Sequence, residues 1–187
     1  MKIGVFGGAF NPIHIGHLVT VDEVQEKIRL DKVLFIPTFN PPHKKDLIKY
    51  DHRRNMVELA ITNNSDFELC EIERERGDTS WTIDTLKILH KKYPKDKLYL
   101  IIGSDQYQLL NKWKQPENLT HYAKLVVMKR PNIKLKVQSS KFKIPVGITQ
   151  IDIAGKDIRK SIKNKKSFRY KIPEKVYKYI ITNKLYK

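Results

Sequence analysis

The stretch Lys2–His17, KIGVFGGAFNPIHIGH, runs from an apolar segment through paired glycines to two histidines three residues apart. Lys2–Phe6 reads as a short buried strand. From Gly16 to about Arg29, Leu18, Val21, Val24, Gln25 and Ile28 recur on one side of a helix. Gly7 and Gly8 lie between the two elements. They carry no Cβ, so they permit unusual backbone angles and let a bulky anion come close to the chain. The helix points its free N–H groups at the same place, which favours a phosphate. His14 and His17 stand at the entry of that helix, where both can face one ligand.

The rest of the chain repeats this alternation. Further strands are expected at Lys32–Ile36, Phe67–Ile72, Leu98–Ile102, Leu125–Met128 and Ile148–Ile153. A helix capped by Asp51 carries Met56, Val57, Leu59, Ala60 and Ile61. Another runs from Thr82 to about Tyr93 and is stopped by Pro94. A short helix follows Gly103, up to about Lys112. Two more, Gly155 to about Lys163 and Pro173 to about Tyr186, finish the chain, with Pro173 as a first helical residue. Apolar strands separated by helices predict an α/β fold, a Rossmann-like doubly wound parallel sheet with helices on both faces. The 187 residues suit a single domain, 1–187, with a C-terminal helical part at about 155–187. In such sheets ligands lie at the C-terminal ends of the strands, which is where Gly7–His17 sits.

Composition narrows the class. With 40% hydrophobic residues the chain is expected to pack a core. One cysteine, Cys70, excludes an internal disulfide and a multi-cysteine metal site, and fits a reducing compartment. The N-terminus is too short for a signal h-region and no stretch approaches a membrane span, so a cytoplasmic protein is expected. The net charge of +17 comes mainly from lysines scattered over the second half, which reads as composition more than as a nucleic-acid surface.

The glycine loop is neither a Walker A sequence nor GxGxxG, and it lacks the lysine and hydroxyl of a P-loop. A metal site using His14, His17 and His43 has no nearby carboxylate to complete it. An incidental turn leaves the paired glycines unexplained. GGAFNPIHIGH is similar to the GGxFxPxHxGH signature of the HxGH nucleotidyltransferases, which transfer a nucleotidyl group from a nucleoside triphosphate with loss of pyrophosphate. The resemblance implies ATP contacts at Gly7, Gly8, Ala9, Phe10 and Gly16, and catalytic roles for His14 and His17. Mg²⁺ would arrive bound with ATP.

Further segments resemble one branch, the bacterial nicotinate-mononucleotide adenylyltransferases. IPTFNPPHKK (Ile36–Lys45) is similar to that branch's PxxxPPHK loop, which implies that Lys44 contacts the mononucleotide phosphate. ERERGDTSWTIDTL (Glu73–Leu86) resembles RxGxSYTxDTL, and the backbone N–H groups of Trp81 and Thr82 would hold the nicotinate carboxylate. IIGSDQYQLLNKWKQPENL (Ile101–Leu119) resembles the IGxD…W segment. It implies roles for Gly103 and Asp105 toward ATP and a pyridine-stacking role for Trp113. Arg130, in MKRP, matches the branch's RP motif. Read without the resemblance, each tryptophan also suits a core position, Asp84 a first-turn charge and Lys44 a solvated turn.

The chain departs from the pattern near its end. Where the branch has an ISSTxIR-like segment, this chain has IAGKDIR, Ile153–Arg159. Ile158 and Arg159 align and carry over toward ATP, Arg159 as a catalytic cation. Ala154, Gly155 and Lys156 replace the hydroxyl residues. Gly155 still offers a backbone N–H, and Lys156 exchanges a hydroxyl for a charge. Asn11 stands where aspartate is common. The expected reaction joins ATP to nicotinate mononucleotide. Nicotinamide mononucleotide and phosphopantetheine are the alternative acceptors, and a basic nucleic-acid-binding protein is the alternative class.

Overall fold

The computed structural model describes residues 1–42, 46–128, 142–143 and 148–187. Strand β1 (Lys2–Gly8) leads into α1 (Ile15–Ile28), and β2 (Lys32–Pro37) precedes α2 (Tyr50–Ile61). Next come β3 (Phe67–Leu69), the short α3 (Ile72–Arg76) and α4 (Thr82–Lys92). Strand β4 (Lys97–Gly103) runs into α5 (Ser104–Gln108) and two 3-10 turns, and α6 (Leu119–Tyr122) precedes β5 (Lys124–Met128). Strand β6 (Phe142–Lys143), α7 (Gly155–Lys163) and α8 (Glu174–Thr182) complete the order.

Among the described residues six strands form one parallel sheet, in the order β3-β2-β1-β4-β5-β6. Because neighbouring residues of a strand face opposite sides, the sheet carries two cores. Val33, Phe35, Tyr99 and Ile101 pack on one side against Val21 and Val24 of α1, Met56 of α2, Ile158 of α7 and Val176 of α8. Ile3, Val5, Leu34, Leu98 and Leu100 pack on the other against Ile72, Ile83, Leu86 and Leu119. This is the doubly wound arrangement the apolar strands predict. The strand order reverses at β1, which lies between β2 and β4. A crevice therefore opens beyond the C-terminal ends of β1 and β4, the ligand position of open α/β sheets. No helix among the described residues is long and apolar enough to cross a membrane.

Several expected boundaries move. Strand pairing stops at Leu69, and Ile72 instead starts a helical turn closed by Gly77 at φ +76. Ile72 is buried against the second core, which accounts for its apolar character. Ile148–Ile153 is not a strand; the outer position belongs to β6. Ile148 and Ile153 pack on the first core, and the Thr149 N–H donates to Glu23 Oε2 at 2.6 Å, so the segment lies along α1. Asp51 lies in the first turn of α2, with Lys49 at the cap, and its carboxylate pairs with Arg74 at 3.3 Å. Pro173 is the cap of α8 and Glu174 its first helical residue.

Candidate active site

The crevice is a cleft of about 820 Å³ whose walls come from several parts of the chain. Strand β1 runs past the expected end at Phe6 through Gly7 and Gly8, which pair with Ile36 and Pro37, and its end, the loop after it and the first turn of α1 supply Gly7, Gly8, Ala9, Phe10, His14 and His17. The β4–α5 junction supplies Gly103 and Asp105, and the start of α7 supplies Gly155, Lys156 and Arg159. Trp81 and Thr82, at the start of α4, and Trp113 form the far wall.

The two imidazoles are held as a unit. Their rings stack with centroids 3.6 Å apart and planes 20° apart. His14 is buried and caps α1; its backbone N–H donates to His17 Nδ1 at 3.3 Å. A neutral His17 so engaged carries its proton on Nε2, leaving that N–H as a donor. Phe10 and Phe6 meet the His17 ring on other sides, at centroid distances of 5.3 and 5.9 Å. Phe10 sits at φ 44, a left-handed conformation that costs a β-carbon residue about 1 kcal/mol and is held here by burial among Phe6 and Phe35. Gly16 does not line the cleft. A Cβ there would come within 3.1 Å of His14 Nδ1 and 3.3 Å of Cε1, so its lack of a side chain is what leaves room for the His14 ring.

The loop is fastened from both sides. Arg159 donates from Nη1 to the Asn11 carbonyl at 2.6 Å, and the Tyr186 hydroxyl donates to Asn11 Oδ1 at 2.8 Å. Gly155 lies so close that a Cβ would approach the Asn11 carbonyl oxygen to 3.0 Å. The glycine that replaces a hydroxyl residue in IAGKDIR thus permits the contact between α7 and the loop. Lys156, the next residue, projects from the first turn of α7 into the cleft wall. Ile158 does not reach the cleft: its side chain is fully buried in the first core and its N–H donates to the Ala154 carbonyl at 3.2 Å. Lys44 and Arg130 lie outside the described residues.

On the far wall, Trp81 caps α4 and its own N–H donates to the Thr79 carbonyl at 2.9 Å. The amides left to the first turn are therefore those of Thr82 and Ile83, one residue beyond the pair expected from the sequence. Glu73 and Ser80 brace this wall. The Glu73 carboxylate accepts from the Phe39 N–H at 3.1 Å and from the Thr85 hydroxyl at 3.0 Å. Ser80 Oγ accepts from the Asn40 N–H at 2.9 Å. Lys112 and Lys114 also line the cleft, and Lys114 Nζ pairs with Asp84 Oδ2 at 2.7 Å.

A buried cation that sequence reading did not single out ties the pieces together. Arg53 of α2 is 2% exposed. Its Nη1 donates to the carbonyls of Ala9 at 2.9 Å and Thr38 at 2.7 Å, and its Nε to that of Ile48 at 3.2 Å. Burial pushes its guanidinium below the ordinary arginine value. The sequence signal was an arginine amid the apolar positions of a helix, which alone does not separate a buried clamp from a solvated charge.

A stacked imidazole pair, helix starts and a lysine and arginine around one cleft have the chemistry to receive a polyphosphate, and the chain's relatives are of a class that uses one. Residues 5–171 match the cytidylyltransferase-like family. A nicotinate-nucleotide adenylyltransferase of Bacillus subtilis is 38% identical, over 99% of this chain and 98% of that protein. A probable nicotinate-nucleotide adenylyltransferase of Thermus thermophilus is 36% identical over 100% of both chains. The nicotinic acid mononucleotide adenylyltransferase of Plasmodium falciparum, solved with NaAD, superposes with a TM-score of 0.82 at 21% identity, over 99% of this chain and 97% of that one. The chain belongs to the nicotinate-nucleotide adenylyltransferases, a branch of the cytidylyltransferase-like family.

Proposed function

We propose that the cleft transfers the adenylyl group of ATP to nicotinate mononucleotide, giving nicotinate adenine dinucleotide and pyrophosphate. The observation that carries the reading is the rigid His14–His17 pair facing the same cleft as the tryptophan-walled start of α4. The imidazoles, the first-turn amides of α1 and α7, Lys156 and Arg159 suit a triphosphate. The first turn of α4 suits an anionic ring substituent, and Trp113 offers a face for a flat ring.

The chemistry asks little of a protein base. The phosphate of a mononucleotide, with a second pKa near 6, is mostly dianionic at pH 7. One of its oxygens attacks the α-phosphorus, and the bond from that phosphorus to the α–β bridging oxygen breaks, so that this oxygen leaves with the β-phosphate as a terminal oxygen of pyrophosphate. Catalysis consists of holding the two phosphates in line and stabilising the charge that moves onto the leaving group. His17 Nε2–H and the cations of Lys156 and Arg159 serve that stabilisation, while the aromatic packing around His17 removes the need to reorganise it.

The donor set fits Mg²⁺ arriving on the nucleotide. Among the described residues no group of three or more His, Cys, Asp or Glu side chains suits a metal, whereas Asp105 stands in the cleft as an oxygen donor. Mg²⁺ takes most of its ligands from phosphate and water and neutralises the pyrophosphate leaving group when bound. The reading includes a cytoplasmic location, in keeping with a lone cysteine.

The test is pyrophosphate release from ATP and Mg²⁺ with nicotinate mononucleotide, nicotinamide mononucleotide or phosphopantetheine. The nicotinate compound should be turned over fastest. Turnover with phosphopantetheine alone would contradict the assignment of the α4 wall.

A further inference from the structure

We infer that Lys114, by pairing with Asp84, sets the preference of the acceptor subsite for a ring bearing a carboxylate over one bearing a carboxamide. This rests on the acceptor reading above. Asp84 is the acidic residue in the first turn of α4, the helix whose cap, Trp81, and first residue, Thr82, line the cleft. A carboxylate in that turn stabilises the helix through its positive end. The same charge opposes any second anion that uses that end. Alone, Asp84 would favour a neutral carboxamide ligand.

Lys114 removes the conflict. It lies in the cleft wall, with Nζ 2.7 Å from Asp84 Oδ2 and 5.9 Å from the centroid of the Trp81 ring. The ammonium is thus held over the ring of the residue that caps α4 and against the carboxylate of its first turn. The segment that presents it is constrained. Gln115, the next residue, adopts φ 49 and accepts from Lys87 Nζ at 3.3 Å, which ties it back to α4. As a stabilising contact the pair counts for little, since Lys114 is 41% exposed and surface ion pairs are weak. Its consequence is for charge: an anionic ring substituent meets a neutralised helix start, while a carboxamide, being uncharged, barely registers either residue.

The experiment compares kcat/KM for nicotinate and nicotinamide mononucleotide in the wild type, Lys114→Met, Lys114→Arg and the double variant Asp84→Asn/Lys114→Met. Lys114→Met should lower the acid-to-amide ratio roughly three- to tenfold, the effect of one charge on an anion held about 6 Å from it in a partly screened cleft, the separation expected of a ligand seated at the Trp81 end of α4. Lys114→Arg should keep the ratio. The double variant should return it to within about twofold of the wild type, because the opposing charge has gone too. An unchanged ratio in Lys114→Met, or a double variant as low as Lys114→Met, would overturn the inference. Failure of the wild type with both acceptors would instead overturn the acceptor reading on which it rests.

Discussion

The Tyr186 hydroxyl donates to Asn11 Oδ1 at 2.8 Å, so the segment after α8 is joined to the loop that carries both imidazoles. The carbonyl of the same asparagine accepts from Arg159 at 2.6 Å. Tyr186→Phe removes only the hydroxyl. It should cost about 1 kcal/mol and lower Tm by roughly 2–4 °C in a chain of this size. It should also lower kcat more than it raises the KM for ATP, because the loop stays built but is less firmly held. Thermal unfolding and steady-state kinetics on one preparation check both.

Gly16→Ala probes the stacked histidines without replacing either. The new Cβ would meet the His14 ring at 3.1 Å, and the ring cannot retreat without leaving His17. Displacement of about an ångström at a reacting group costs on the order of a hundredfold in rate. The expected variant is folded, binds ATP and is slow; circular dichroism, a binding isotherm and a rate measurement separate these.

Arg53→Met leaves the carbonyls of Ala9, Thr38 and Ile48 without their donor. A loss of roughly 2–4 kcal/mol is expected in equilibrium denaturation, since unsatisfied buried acceptors cost more than the bond they formed. Arg53→Lys should recover little of it. A single ammonium on a flexible stem cannot span carbonyls that a planar guanidinium reaches together.

Stability should fall in alkali. Burial raises the phenols of Tyr50 and Tyr186 above their ordinary value of 10.0. A group with a raised folded pKa binds its proton more tightly in the folded state. Its contribution is full below the unfolded value and is lost as pH rises beyond it. Denaturation midpoints should therefore decline from about pH 10 upward. A Tyr50→Phe/Tyr186→Phe variant should show a shallower decline; an equally steep one would remove these phenols from the explanation.

Lys2–His17 was the most legible part of the chain. An apolar run and a helical period specify strand and helix through local rules, and β1 and α1 follow them, but the paired glycines do not form the turn between them: Gly7 and Gly8 continue β1, paired with Ile36 and Pro37 of β2. Ile148–Ile153 has the alternation of a strand but meets the core from a loop, because burial alone does not require a hydrogen-bonded neighbour. Ile158 lies between Lys156 and Arg159 of the cleft wall, yet its place on α7 turns it into the core. Arg53, Glu73 and Tyr186 escaped notice for one reason. Their partners are backbone atoms or side chains far along the chain, and the Tyr186–Asn11 bond spans 175 positions. Gly155 is the converse case. It reads as a lost hydroxyl in sequence and as room for the Asn11 carbonyl in space.

The most direct measurement is nicotinate adenine dinucleotide formation from ATP, Mg²⁺ and nicotinate mononucleotide by the wild type and His17→Ala, with ATP affinity measured on both. Rapid product formation by the wild type is expected. The kcat of the variant should be at least ~100-fold lower, with ATP binding within about fivefold, since the imidazole acts on charge that develops in the transition state. A variant that turns over as fast as the wild type, or a wild type that forms no product, would contradict the proposed mechanism.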